Sequence, residues 1–136
     1  MTLPETSTDH NNKDNPSGLK SDLQWDNKTG TGEFVPSKFH EGGKGLVHGG
    51  ITAYLLDEAM ARTVLPENKN ITTANLKVRF RHPARIHEPL FITAAITNKR
   101  RNLIEAEARI SLKDGTLIAE GTSTIYIISK AKKEYR

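Results

Sequence analysis

The segment Gly50–Val64 constrains this chain more than any other. It reads Gly-Ile-Thr-Ala-Tyr-Leu-Leu-Asp-Glu-Ala-Met-Ala-Arg-Thr-Val, with Pro66 beyond it as a stop. The length suits about four turns of α-helix. Its apolar residues occupy most of the helix circumference rather than one stripe, which describes a helix surrounded by protein, not one laid on a surface. The rest of the chain has to supply that surround.

Downstream of the helix the residues alternate with a period of two. Leu76, Val78 and Phe80 share one face and Lys77, Arg79 and Arg81 the other, up to Pro83. Leu90, Ile92, Ala94 and Ile96 share a face of the next strand. Ile104, Ala106, Ala108, Ile110 and Leu112 do so in a third, and Asp114-Gly115 predicts a two-residue hairpin into a fourth strand over 116–128. Upstream, a short strand is expected near Gly32–Pro36, with Trp25, Phe34, Val35 and Phe39 as anchors. The architecture expected from pattern is therefore α+β: one buried helix and an antiparallel sheet of four or more strands that must wrap it to bury its full circumference.

The chain has 136 residues, enough for one domain. Residues 1–20 hold a long stretch without apolar groups and are expected to be a disordered tail, leaving 21–136 as the domain. Cysteine is absent, which removes disulfides, thiol nucleophiles and cysteine metal sites. No apolar run approaches the roughly 18 residues that span a bilayer, and the N-terminus carries no secretory or transit pattern. The expected location is the cytoplasm. Charge is uneven: residues 1–30 carry net −2, 31–70 net −1 and 71–136 net +7. A positive C-terminal half attracts phosphate-bearing partners, whether nucleic acid, anionic membrane or a phosphorylated cofactor.

Candidate chemistry gathers around the helix. His48-Gly49-Gly50 opens it, and a first helical turn has free N–H donors and partial positive charge that glycines leave open to a ligand. The plain alternative is a tight, flexible turn. Asp57 and Glu58 lie mid-helix in apolar surroundings, where an unpaired carboxylate is costly. Glu58 is four residues from Arg62 and has a ready ion-pair partner, whereas Asp57 has none at good spacing, so Asp57 is the functional candidate. His48 and Asp57 are nine residues apart, about half a revolution and roughly 13 Å of rise. They cannot easily meet on one substrate atom within one chain, so a site using both is shared between two chains of an isologous dimer. His10, His40, His82 and His87 are expected at the surface. The basic groups Arg79/Arg81/Arg85 and Lys99-Arg100-Arg101 fit solvated faces as well as ligand sites, and few aromatics interleave them, which gives nucleic-acid binding little support. No metal motif is present.

The run Phe39-His40-Glu41-Gly42-Gly43-Lys44-Gly45-Leu46-Val47-His48-Gly49-Gly50-Ile51, continuing to Leu55-Leu56-Asp57-Glu58-Ala59-Met60, resembles the PaaI-type hotdog thioesterases. Ile71-Thr72-Thr73-Ala74-Asn75-Leu76 and Arg81-His82-Pro83-Ala84 match as well, and the likeness covers roughly residues 30–128. It implies the hotdog fold, a long central helix wrapped by a curved antiparallel sheet, with two chains paired edge to edge and, in many relatives, dimers stacked into tetramers. It implies hydrolysis of an acyl-CoA thioester with no metal or added cofactor. The Gly49 N–H would polarise the thioester carbonyl and His48 would help hold it, beside Gly50. Asp57 of the partner chain would activate water or attack directly, and Thr73 would help orient that water. Arg81, His82, Lys99, Arg100 and Arg101 are candidates for the coenzyme A phosphates. Where some relatives carry an Asn six positions before the histidine, this chain has Gly42. The alternatives are an acyl-CoA-binding module without turnover and, further behind, a hotdog hydratase or dehydratase.

Overall fold

A computed structural model describes residues 23–26, 31–64 and 70–129 of the chain. The expected tail and Pro66 lie outside those residues. Two short strands come first, β1 (Leu23–Asp26) and β2 (Thr31–Phe34), then a 3-10 turn at Lys38–His40 and helix α1 (Gly49–Val64). Four longer strands complete the order: β3 (Asn70–Phe80), β4 (Leu90–Arg100), β5 (Leu103–Ser111) and β6 (Leu117–Ser129). They form one antiparallel sheet in the order β1-β2-β4-β5-β6-β3. No described helix is long and apolar enough to cross a membrane.

The sheet curls around α1, which packs on β3, β4, β5 and β6. Thr52, Leu55, Leu56, Ala59, Met60 and Val64 are buried against it. Ile51, Ala53, Tyr54, Asp57 and Ala61 are only half-buried. The expectation that the sheet encloses the whole helix is therefore corrected. One concave face covers one stripe, at i, i+3, i+4 and i+7 spacing, and leaves the opposite flank partly open.

The alternation holds best at the centre. Ile104, Ala106, Ala108 and Ile110 of β5 are all buried, as are Leu90 and Ile92 of β4. The β5–β6 connection differs from the expected two-residue turn. Leu112 and Thr116 close a three-residue loop, Leu112 N–H donating to the Thr116 carbonyl at 2.9 Å. Gly115 takes φ 94°, which a side chain would strain, and the Asp114 carboxylate accepts from the Thr116 N–H at 2.9 Å.

β3 lies at the sheet edge, bonded only to β6 among the described strands. A register shift between Thr73 and Asn75 leaves Ala74 as an extra residue. Directly opposed residues of an antiparallel pair share a face. Thr73 opposes Ile125 and Leu76 opposes Ser123, and both opposing residues are buried under the helix. The bulge therefore changes the parity, so that Ile71, Thr73, Leu76, Val78 and Phe80 all face α1.

Candidate functional site

The loop 41–48 fixes the start of the helix. Gly42 N–H donates to the Leu46 carbonyl at 2.8 Å, Val47 N–H to Ala84 at 2.8 Å, and His48 N–H to His40 at 2.8 Å. A Cβ on Gly42 would lie 2.8 Å from the His48 Cα. That close approach accounts for the glycine where some relatives carry asparagine: no side chain fits without moving the backbone of His48.

His48 then serves the first turn of α1. Its carbonyl accepts from Ile51 at 3.0 Å and Thr52 at 3.3 Å, and its ring Nδ1 accepts from the Gly50 N–H at 2.8 Å. With Nδ1 accepting, the neutral ring carries its proton on Nε2. Of the first four helical N–H groups only that of Gly49 has no partner among the described residues. Gly49 lines a cleft of about 220 Å³ with Val47, Thr52, Phe80, His82 and Ile118. A partial positive charge and one open donor there suit a carbonyl or carboxylate oxygen.

Asp57 lies in the middle of α1, half-buried, and its Oδ1 accepts from the Thr73 hydroxyl of β3 at 3.0 Å. The bulge at Ala74 makes this contact, because unbroken alternation from Leu76 would have turned Thr73 away from the helix. Glu58 behaves as its spacing suggested. Its Oε2 meets Arg62 Nε at 3.2 Å and its Oε1 meets the Tyr54 hydroxyl at 3.4 Å. Burial first, then the charge of Glu58 and its hydrogen bond, push the Tyr54 phenol up to about 12. Glu58 is thus held in a local ion pair, while Asp57 has a neutral hydroxyl as its one hydrogen-bond partner among the described residues.

The two halves of the site do not converge in one chain. Gly49 approaches the ring of Phe80 at one end of β3, a Cβ there falling 3.7 Å from Phe80 Cζ, and Asp57 meets Thr73 seven residues earlier on the same strand. At about 3.3 Å per residue those anchor points are roughly 20 Å apart.

The basic candidates separate likewise. Arg81 Nε is held by Glu120 Oε2 at 2.9 Å, and the guanidinium keeps Glu120 below the usual carboxylate range. His82 shares a 2.9 Å contact between Nδ1 and the Leu117 carbonyl and lines the Gly49 cleft. Lys99, Arg100 and Arg101 sit at the β4–β5 turn, at the Thr73 end of the sheet, where Arg101 has φ 53°. His87 is exposed, but His40 is not a surface group. It is 2% exposed, accepts at Nδ1 from the Ser37 N–H at 2.9 Å, and stands edge-on to Phe34 with ring centroids 5.0 Å apart. A Ser three residues before a His was the available signal: the two form a capping box around the 3-10 turn. Among the described residues no His, Asp and Glu side chains cluster as metal ligands would.

The family described as the thioesterase superfamily matches residues 44–119. A Caenorhabditis elegans protein named as an esterase is 31% identical over 96 residues, 68% of this chain but only 57% of the relative, so the chain spans less than two-thirds of that protein. Acyl-coenzyme A thioesterase 13 of Mus musculus is 29% identical over 98 residues, 70% of each chain. In fold the chain is similar to the BH2602 protein of Bacillus halodurans, solved with CoA (TM-score 0.68, 24% identity, 76% of this chain and 70% of that one). It is also similar to the Escherichia coli PaaI protein from the phenylacetic acid degradation operon (TM-score 0.70, 16% identity, 74% and 73%).

Proposed function

Because the chain belongs to the thioesterase superfamily and has its hotdog fold, we propose that it hydrolyses an acyl-CoA thioester to a free acid and coenzyme A, in a site built by two chains. The observation that carries this reading is the Thr73–Asp57 hydrogen bond. It orients the one mid-helix carboxylate that no ion pair holds among the described residues.

In the proposed reaction the thioester oxygen accepts from the Gly49 N–H, with His48 Nε2–H beside it, so that charge developing on oxygen meets a fixed donor and the positive end of the helix. Water held between Asp57 and Thr73 loses a proton to the Asp57 carboxylate as its oxygen bonds to the carbonyl carbon. Collapse breaks the C–S bond, and the proton passes to the departing thiolate. Direct attack by Asp57, with water cleaving the resulting anhydride, uses the same positions. The reading calls for no metal or cofactor and includes a cytoplasmic setting.

The second chain is implied by the free edge of β3. Antiparallel pairing of that edge about a two-fold axis between Leu76 and Lys77 would set Thr73 opposite the partner's Phe80, and so bring Asp57 to the partner's helix start. It would also bring Arg81 and His82 of one chain to the same side as Lys99–Arg101 of the other, where the coenzyme A phosphates are expected. Stacking of dimers into a tetramer is compatible with this pairing.

A panel of acyl-CoAs varied in chain length and aromatic character, read by a thiol reagent, tests the proposal. Thiol release should fall by about 100- to 10,000-fold in Asp57→Ala. Tight binding without release would make the protein a binding module. A stable monomer that hydrolyses acyl-CoA at full rate would overturn the two-chain site.

A further inference from the structure

The proposed reaction leaves a departing thiolate in need of a proton, and the cleft beside Gly49 holds one group suited to give it. Apart from Thr52, Arg81 and His82, the side chains lining that cleft are apolar. The buried Thr52 hydroxyl is a weaker acid than the thiol it would have to protonate. Arg81 is committed to Glu120, and an arginine keeps its protons throughout. His82 is left, exposed to solvent at the mouth of the cleft.

His82 is pinned at backbone and ring. Its N–H donates to the Ile118 carbonyl at 3.1 Å, as that of Arg81 does at 2.8 Å. A carbonyl oxygen can only accept, so the 2.9 Å contact with Leu117 is a bond donated by the ring Nδ1–H. Nδ1 therefore carries the fixed proton and Nε2 the lone pair, and Nε2 has no hydrogen-bond partner among the described residues. The histidine at the helix start is wired the other way. His48 Nδ1 accepts from the Gly50 N–H at 2.8 Å, so a second proton on that ring would break the bond. His82 can take up a proton at Nε2 and lose it again without disturbing its anchor. Histidine is the side chain type whose charge changes nearest neutral pH.

We infer that His82, protonated at both nitrogens, is the catalytic acid for the leaving group, an assignment that rests on the acyl-CoA thioesterase reading. A thioester whose oxygen meets the Gly49 N–H carries its sulfur on the same carbon, and so in the cleft that Gly49 and His82 share. As the C–S bond of the tetrahedral intermediate breaks, its electron pair goes to sulfur and takes the Nε2 proton, forming the S–H bond. The carbonyl re-forms as the free acid, Asp57 of the other chain holds the proton taken from water, and the imidazole is left neutral. Asp57 then releases its proton and the exposed Nε2 takes one from solvent, so the cycle closes with one water consumed. His82 thus serves the thiol end of coenzyme A rather than its phosphates.

The coenzyme A, pantetheine and S-phenyl thioesters of one acyl group test this. Pantetheine lacks the phosphates, and the less basic phenyl thiolate departs without help. His82→Asn keeps an amide donor for the Leu117 carbonyl, and His82→Gln is a second variant; the residue is exposed, so both should melt as the parent does. In both, kcat/KM should fall by about 100-fold on the coenzyme A and pantetheine esters and by less than about threefold on the phenyl ester. A loss confined to the coenzyme A ester makes His82 a phosphate contact. An equal loss on all three makes it a structural residue, and no loss on any makes another group the acid. Each of these overturns the inference and leaves the thioesterase reading standing. No thiol release from any of the three by the parent overturns both.

Discussion

β5 and β3 carry the same period-two pattern and are buried very differently. In β5, held between β4 and β6, the inward residues Ile104, Ala106, Ala108 and Ile110 are sealed under the helix. In β3, at the edge, Ile71 and Val78 on the same face are only half-buried, and two others remain open: Leu76 is 39% exposed and Phe80 59%. Alternation states which side chains share a face. It does not say whether anything covers that face. An eleven-residue strand with apolar side chains at a free edge is what a monomer avoids and a paired edge accepts. The difference between the two strands is what the proposed pairing of two β3 edges rests on.

Four experiments bear on this difference. The largest effect is expected in the centre: Ile110→Ala should lower unfolding stability by about 2–5 kcal/mol, measured by denaturant melts. A loss under about 1 kcal/mol would mean that β5 is not a tightly packed strand. Next comes Thr73→Val, which keeps the shape but removes the donor to Asp57. A hydrogen bond to a charged group is worth about 1.5–3 kcal/mol, so kcat on a cleaved acyl-CoA should fall by at least about tenfold, with unfolding stability lowered by no more than about 3 kcal/mol; an unchanged kcat would detach Thr73 from the site. Phe80→Ala should cost less than about 1 kcal/mol in dilute protein, because the ring is already largely in water. It should, however, make activity fall on dilution, as a weakened dimer would, and activity independent of concentration would count against the paired edge.

The last effect, a gain rather than a loss, is the most informative about covering. The Ser123 hydroxyl, 4% exposed and opposite Leu76, has no hydrogen-bond partner among the described residues. Ser123→Ala should raise stability by about 1 kcal/mol if that hydroxyl stays unpaired in the working molecule. A loss of stability would show that the assembled protein supplies a partner there.

Much of the candidate site was legible in residue types and spacing. The Glu58–Arg62 pair followed from i,i+4 geometry, and its formation left Asp57 as the unexplained acid. The glycines after His48 marked a helix start open to a ligand, and the structure leaves the Gly49 N–H as its one open donor among the described residues. Thr73 came only from family likeness. Residue periodicity would have pointed it outward, because the parity change at Ala74 has no local signature. His40 departs from its expected surface position for a local reason: the turn that Ser37 caps folds it back against Phe34, six residues earlier at the end of β2.

The sequence by itself determined where the helix lies, which residues share a face within an unbroken run of strand, and that the acid and the helix start stand far apart along one helix. Those follow from backbone geometry, 3.6 residues per turn and two per pleat, which acts over neighbouring residues. The tertiary structure alone decided the strand order, the free edge at β3, and the bulge that turns Thr73 toward Asp57. Each depends on segments far apart in the chain meeting in one register, and no local pattern encodes that meeting.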